Sequence, residues 1–490
     1  MFILYNGLSM KKYFISIDEG TTSTRSVIFN DDGKIVGIES ERINLYYPGN
    51  GLVEFNPLEI YNAVLRTLKK SMENAGIDSS QICSIGITNQ RESIIIWNKR
   101  TGIPVYNGIS WQDKRKMDIP DFNNYKKLIR RRTGLVANPY FSAMKIKWVL
   151  NNVKDALGTV KNGDLLAGTM DSWILWKLTN GAVHATDHTN ASRTMLFNIS
   201  KLSWDDDLLE IFKIPRDILP EVHSSTHNFG YAKINGNRIP VMAMAGDQSA
   251  SMVGQNALSN GNVKNTYGTG SFIMANTGKR ILNAHGLIST VAYSLNDGCA
   301  YYALEGSIFN SGSAFEWALK ALNGKNTGYN LDNKNDVYFV PAFSGLGSPY
   351  WNDGARGMFI GITRNTGNKE LISAVIKSIA FQVEDVIRII RKKLNIIDLR
   401  CDGGSSRNDE LMRFQARLSG INVLRSENPE NTAAGIFYLN AVSSGIMKID
   451  DIKHLWKFDR IFKPDLNPDS YINDYLIWRR AVRRSLNWIR

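Results

Sequence analysis

The sequence predicts an α/β protein built as two related lobes, and three observations carry that prediction. Apolar strand-like runs alternate with amphipathic helical stretches along the whole chain, the pattern of sheets covered by helices. Two Gly/Thr turns, one within Asp18-Glu19-Gly20-Thr21-Thr22-Ser23-Thr24-Arg25 and one within Asn265-Thr266-Tyr267-Gly268-Thr269-Gly270, each stand between apolar runs, one in either half. The length of 490 residues exceeds what one hydrophobic core usually holds, so two large domains are expected.

The elements follow in order. Residues 13–38 read as strand Tyr13–Asp18, the first Gly/Thr turn, strand Ser26–Asn30, the turn Asp31-Asp32-Gly33 and strand Ile35–Glu39. Asp-Gly between apolar runs is a strong hairpin signal, so this is a meander and not the strand-turn-helix of a P-loop or dinucleotide unit. Helices are expected at Pro57–Asn74, Ala143–Asn151, Asn310–Leu322, Glu370–Leu394 and Asn408–Leu418, with strands at Ile82–Ile87, Val241–Gly246, Val337–Val340 and Ile396–Cys401. The second half repeats the opening pattern in Asn262–Tyr267, the turn Gly268–Gly270, Ser271–Asn276 and Cys299–Leu304. The polar stretch from Gly254 to Gly261 marks the join, giving an N-terminal domain over residues 10–255 and a C-terminal domain over 256–490. Residues 1–9 read as an extension without a structural role, because Met10-Lys11-Lys12 makes the better start. At the other end, Tyr475, Trp478, Val482, Ser485 and Ile489 share a helical face opposite Arg479, Arg480, Arg483 and Arg484, as in a helix docked on a core.

Composition narrows the function classes. The formal charge of +13 invites a polyanion partner, yet no nucleic-acid-reading module appears, and no nucleic acid is expected as partner. The basic clusters at Lys126-Lys127 with Arg130-Arg131-Arg132, and at Arg479–Arg484, read as solvated helix faces. Three cysteines, Cys83, Cys299 and Cys401, are odd in number and lack any CxxC spacing, which argues against a disulfide framework or a zinc site and for a cytoplasmic protein. No apolar run is long enough to span a bilayer.

The two turns carry the chemistry. Glycine lets backbone N–H groups approach an anion and threonine adds hydroxyl donors, so each turn suits a phosphate. Asp18 closes one strand and Asp247 another, and strand ends are stiff mounts for carboxylates that can serve Mg²⁺ and a nucleophile. There is no GxxxxGK[ST], and Gly268-Thr269-Gly270 meets Ile273 where a dinucleotide fingerprint needs its last glycine. Arg91-Glu92 after a core strand reads by itself as a structural ion pair, and Trp111, Tyr140 and Phe272 as core aromatics.

Further segments join these: Gly86-Ile87-Thr88-Asn89-Gln90-Arg91-Glu92, Trp111-Gln112, Asn138-Pro139-Tyr140-Phe141-Ser142, Thr189-Asn190-Ala191-Ser192-Arg193-Thr194, Pro341-Ala342-Phe343-Ser344-Gly345-Leu346-Gly347 and Asp402-Gly403-Gly404-Ser405-Ser406-Arg407-Asn408. Together they resemble the FGGY carbohydrate kinases, and within them the members acting on glycerol, over nearly the whole chain from Met10. The resemblance implies a two-lobed actin-like ATPase (ribonuclease H-like) fold, a duplicated domain with a central cleft whose closure excludes water. It implies phosphorylation of glycerol by ATP with Mg²⁺ in a homo-oligomer, dimer or tetramer. Asp247 then matches the catalytic base. Arg91, Glu92, Trp111, Tyr140, Gln248 and Phe272 match substrate contacts, and Asp18 matches the Mg²⁺ residue. Thr21, Thr22, Ser23, Arg25, Gly268, Thr269, Gly312, Glu316, Gly404 and Asn408 match nucleotide contacts. The alternatives are an FGGY kinase for another small polyol or ketose, and an actin-like ATPase without a small-molecule acceptor.

The chain departs from the family pattern at a few places. Glu19 stands where Gln is common; a charge there, at ~6 Å and an effective dielectric near ~20, costs about 3 kcal/mol against each phosphate charge. Either Arg25 and Mg²⁺ offset it, or Glu19 points away or is protonated; nucleotide binding is expected to weaken as pH rises. Glu316 also replaces a common Gln, Arg417 an acidic residue and Phe437 a small one, so packing beneath the adenosine is expected to differ. Gly236 and Arg238 remain of a Gly-x-Arg effector loop, but the preceding loop Tyr231–Asn235 is short and that regulation is not expected.

Overall fold

The computed structural model describes residues 13–115, 119, 122–296, 298–323, 329, 331, 332, 336–465 and 469–489. The expected extension over residues 1–9 lies outside them. The chain forms two compact units: Met1–Gly254 with Tyr293–Ala300 and Thr432–Leu455, and Gln255–Ala292 with Tyr301–Asn431 and Trp456–Arg490. The place of Thr432–Leu455 in the first unit has a packing cause. A Cβ on Gly435 would meet the Ala250 carbonyl oxygen at 1.8 Å, so helix Asn431–Ser443 lies directly on helix Asp247–Gly254. Phe437 on that helix stacks on Phe29 at 4.7 Å and meets Phe14 edge-on at 5.4 Å. The large residue at 437 thus fills the space beneath the first sheet.

In the first unit a six-stranded sheet runs in the order β5-β6-β4-β1-β2-β3, where β1 is Tyr13–Glu19, β2 Ser23–Asn30, β3 Ile35–Arg42, β4 Ile82–Asn89, β5 Tyr231–Ile234 and β6 Asn237–Gly246. β1 is antiparallel to β2 and parallel to β4, which is in turn parallel to β6. Ile15, Ile17, Ile28, Ile85, Ile87 and Val241 from these strands enter one buried cluster. The first ladder is longer than expected: it pairs Asp18 with Arg25 and Glu19 with Thr24, so Ser23, Thr24 and Arg25 are strand and the turn shrinks to Gly20–Thr22. Tyr231–Ile234 is likewise a strand and not a loop, and Arg238 lies over the Tyr231 ring at 4.7 Å.

The second unit repeats the topology. With β7 Asn262–Tyr267, β8 Ser271–Gly278, β9 Ile288–Ser294, β10 Ala300–Ile308, β11 Asp398–Asp402, β12 Val423–Ser426 and β13 Phe458–Phe462, the order is β9-β10-β8-β7-β11-β12-β13. β7 pairs antiparallel with β8 and parallel with β11, as β1 does with β2 and β4. In each sheet the strand before the Gly/Thr turn is therefore central.

The terminal helix Asp469–Ser485 buries Tyr475, Trp478, Val482 and Ser485, and Trp478 donates its ring N–H to the Phe339 carbonyl at 2.8 Å. Ile489, expected on that face, lies beyond the helix and is 50% exposed. The other basic cluster is only partly a solvated face. Arg130 donates to the Gly134 carbonyl at 2.8 Å and Arg132 to Asp207 at 3.0 Å, whereas Lys126, Lys127 and Arg131 are exposed.

Candidate active site

Two strand ends of the first sheet bring Arg91 and Asp247 together. Asn89, the last residue of β4, pairs with Gly246, the last of β6. Arg91 follows one end and Asp247 the other, opening helix Asp247–Gly254. Arg91 Nε stands 3.2 Å from Asp247 Oδ1. Gly246 makes this possible, because a Cβ there would meet Arg91 Cγ at 2.6 Å and Cδ at 2.7 Å. Gln248 adds its backbone N–H to Asp247 Oδ1 at 2.7 Å and its side-chain amide to Oδ2 at 3.2 Å. The Asp247 side chain keeps 28% of its surface open while that of Arg91 keeps 2%. A carboxylate held on both oxygens yet partly open is suited to receive a hydroxyl.

Glu92 is buried at φ 64°, a left-handed conformation rare for a residue with a side chain. Its Oε1 accepts from Arg193 Nε at 2.5 Å, both side chains being essentially inaccessible, and Arg193 also lies over the Phe141 ring at 5.4 Å. The ion pair that sequence alone suggested within Arg91-Glu92 is thus two separate pairs, Arg91 with Asp247 and Glu92 with Arg193. Trp111 donates its ring N–H to Thr21 Oγ1 at 2.8 Å and meets Tyr140 edge-on at 6.0 Å. Tyr140 is positioned from behind by Lys145, whose ammonium reaches the Tyr140 carbonyl and, at 3.2 Å, that of Pro139. Burial lowers the Lys145 pKa to about 8, with the Glu92 carboxylate opposing the shift.

At the first turn, Gly20 N–H donates to the Ser23 carbonyl at 2.9 Å, and Gln90 reaches the Gly20 carbonyl at 3.1 Å. Thr22 is exposed and Thr21, Ser23 and Arg25 are half-buried. Asp18 is 9% exposed at the end of β1. Glu19 turns inward: it is fully buried and accepts from Thr24 Oγ1 at 2.5 Å. Burial pushes its carboxyl well above the usual range, the Thr24 bond opposes this, and the Asp18 charge adds to it. Of the three alternatives for Glu19, its burial and its bond to Thr24 support turning away, and the direction of its pKa shift is the one that favours the protonated form.

In the second unit, the turn Gly268–Gly270 is closed by the start of helix Gly312–Ala321. Ser311 and Ser313 N–H donate to the Thr269 carbonyl at 2.9 and 3.2 Å, and Gly312 N–H to that of Gly268 at 3.0 Å. Only glycine fits at 312, since a Cβ would meet the Gly268 carbonyl oxygen at 2.6 Å and Ser405 Oγ at 2.8 Å. Gly268, Thr269, Gly312 and the Gly404–Arg407 turn thus converge. Gly404 is exposed, with open space where a Cβ would project, so a ligand can approach its backbone. Asn408 has its side chain committed to capping helix Asp409–Ser419, accepting from Leu411 N–H at 3.1 Å. Glu316 is exposed one turn beyond Gly312. Phe272 is half-buried on β8, paired with Thr266 and Ser307, and belongs to this unit and not to the one carrying Trp111 and Tyr140. Arg417 donates to Asp332 at 2.6 Å and pairs with Asp465 at 2.9 Å, so its charge is answered locally.

Comparison with known proteins agrees with both halves. The N-terminal domain of the FGGY family of carbohydrate kinases matches residues 13–254, and the C-terminal domain of that family matches residues 263–444. The chain belongs to the FGGY family of carbohydrate kinases. It is 46% identical over 490 residues to a protein named glycerol kinase 2 from Sulfolobus acidocaldarius, covering 98% of each chain. It is 45% identical over 497 residues to one named glycerol kinase from Pseudothermotoga lettingae, covering 98% of this chain and 99% of that one. Among solved structures, a Plasmodium falciparum glycerol kinase with ADP superposes with a TM-score of 0.88 at 31% identity, over 97% of this chain and 98% of that chain. The fold is that of a two-domain carbohydrate kinase of the actin-like ATPase type.

FGGY kinases use ATP, and the donor set bears on the accompanying cation. Among the described residues no three His, Cys, Asp or Glu side chains gather as a metal cage. Mg²⁺ usually takes one or two carboxylates and completes its shell with water and substrate phosphate. A single strand-end carboxylate beside a Gly/Thr turn, Asp18, fits that habit. Reasoning from sequence missed Arg193 as the partner of Glu92, Thr21 as the anchor of Trp111, and Lys145. The segment Thr189–Thr194 signalled the first of these, though not what it holds.

Proposed function

We propose that this FGGY kinase transfers the γ-phosphoryl group of ATP to a primary hydroxyl of glycerol, giving glycerol 3-phosphate and ADP. The observation that carries the reading is the Asp247 carboxylate held by Arg91 and Gln248 on its two oxygens and left partly open. The identity to relatives named glycerol kinase supports the choice of acceptor.

Asp247 is the base. A carboxylate is far too weak a base to remove an alcohol proton beforehand, so it orients the hydroxyl and accepts the proton late, as the loose transition state of phosphoryl transfer allows. Arg91, Glu92, Gln248 and the Tyr140 hydroxyl bond the triol, while Trp111 covers its CH groups; a site that bonds each hydroxyl rejects analogues lacking one. The backbone of Gly268, Thr269, Gly312 and Gly404 binds the nucleotide in the second unit, and in the first unit Thr21, Thr22, Ser23 and Arg25 are the phosphate donors. Glu316 and Asn408 border the nucleotide. Asp18 would hold Mg²⁺, whose charge would offset that of the phosphates, with Glu19 withdrawn into the sheet. ADP release from Mg-ATP, measured with glycerol, dihydroxyacetone, xylulose and ribulose, tests the reading. Glycerol is expected to give the highest kcat/KM, and a pentulose doing so would overturn it.

A further inference from the structure

Behind Arg91 and Asp247 lies a buried polar cluster to which the reaction as described assigns no part. Asp187 ends the short strand Ala185–Asp187 and caps helix His188–Ala191. Its Oδ1 accepts from Thr189 Oγ1 at 2.9 Å, Asn190 N–H at 2.9 Å and Asn190 Nδ2 at 3.0 Å, and its Oδ2 from Thr189 N–H at 3.0 Å and Ser225 Oγ at 2.7 Å. Five donors on one fully buried carboxylate leave Thr189 and Asn190 little freedom. Each then reaches one of the two strand ends. Thr189 Oγ1 accepts the N–H of Gly246, the residue before Asp247, at 2.9 Å. Asn190 exchanges amide bonds with Asn89, two residues before Arg91, at 3.0 and 3.1 Å.

The β4–β6 ladder ends at the Asn89–Gly246 pair, so Arg91 and Asp247 stand beyond its last rung. We propose that Asp187, Thr189 and Asn190 are positioning residues that clamp these two strand ends and thereby fix the Asp247 carboxylate against Arg91. They touch no substrate and act through Asp247. Thr189 presents its hydroxyl in both directions, donating to Asp187 and accepting from Gly246, and no aliphatic side chain can do this. The inference deepens the proposed function and rests on Asp247 being the base.

The test is a double-mutant cycle on the full chain. Thr189→Val keeps the shape and removes the hydroxyl. A misplacement near 1 Å costs up to about 100-fold in rate, so kcat with glycerol is expected to fall by roughly 10- to 100-fold with KM for ATP unchanged. Thr189→Ser should restore most of the loss. In an Asp247→Asn background the same valine change should alter the residual rate less than about 2-fold, because a residue acting through Asp247 has nothing left to position. A folded Thr189→Val protein with parental kcat, or an equal loss in both backgrounds, overturns the proposal. If Thr189→Val does not fold, Asn89→Ala, which removes the exchange with Asn190, carries the same expectations. A parent protein that does not phosphorylate glycerol would instead sink the reading on which the inference rests.

Discussion

Glu92 is the residue at which a structural and a functional role can be separated most cleanly. Its carboxylate and the Arg193 guanidinium are 2% and 0% exposed, 2.5 Å apart, so solvent screening gives little discount. Removing one partner of a buried ion pair strands the other charge and typically costs about 3–5 kcal/mol. Glu92→Gln retains a carbonyl that can accept one N–H, and the Phe141 ring still faces the cation, so the lower end, about 3 kcal/mol, is expected. Urea unfolding of the two proteins measures it. Arg193→Met combined with Glu92→Leu replaces the pair by apolar groups of similar volume and should recover most of that stability, since such replacements are often near neutral. It should not recover kcat/KM for glycerol, because the carboxylate offered to the triol is still missing. Glu92→Gln within about 1 kcal/mol of the parent would refute the buried-pair argument. A double variant with parental kcat/KM would refute the substrate role.

Other perturbations follow from single distances. Gly246→Ala places a methyl at 2.6 Å from Arg91 Cγ and should displace the guanidinium, lowering kcat/KM for glycerol by about 100-fold while KM for ATP stays within 2-fold; steady-state kinetics decides. Gly312→Ala drives a Cβ toward the Gly268 carbonyl at 2.6 Å, so KM for ATP should rise at least about 10-fold, and an unchanged value would remove Gly312 from the nucleotide site. Glu19 has a folded-state pKa raised by burial. The folded protein therefore holds the proton more tightly than the unfolded chain, and its stability falls as pH rises from about 4.3 through the raised value. Glu19→Gln should be increasingly more stable than the parent over that interval, as read from thermal midpoints, and a difference independent of pH would contradict the assignment.

Local chemistry was legible where it is written in consecutive residues. Alternating apolar runs and the Asp-Gly turn gave the opening meander, and Asn56 capping helix Pro57–Ala75 through its side chain matches the start expected there. The two Gly/Thr turns were found because glycine and threonine suit a phosphate whatever surrounds them. The exchange of segments between units was not legible, because it depends on Gly435 meeting Ala250 and on Phe437 filling a space beneath the first sheet. Partners were equally hidden: Arg91 joins a carboxylate 156 positions away rather than its neighbour Glu92, and Arg193 lies 101 positions from Glu92. The strand over Ser23–Arg25 was missed because its polar residues read as turn, although the ladder with β1 continues through them. Glu19 shows the limit of reading a charge from its letter, since burial and the Thr24 bond decide where it points and whether it ionises.

The central claim is that Asp247 orients the acceptor hydroxyl and takes its proton. Glycerol-dependent transfer of the γ-phosphoryl group by Asp247→Asn, compared with the parent at equal folded concentration, tests it most directly. General-base contributions are typically about 10²–10⁴-fold, so kcat should fall by at least about 100-fold with KM for ATP little changed. A variant that phosphorylates glycerol at the parental rate would contradict the account.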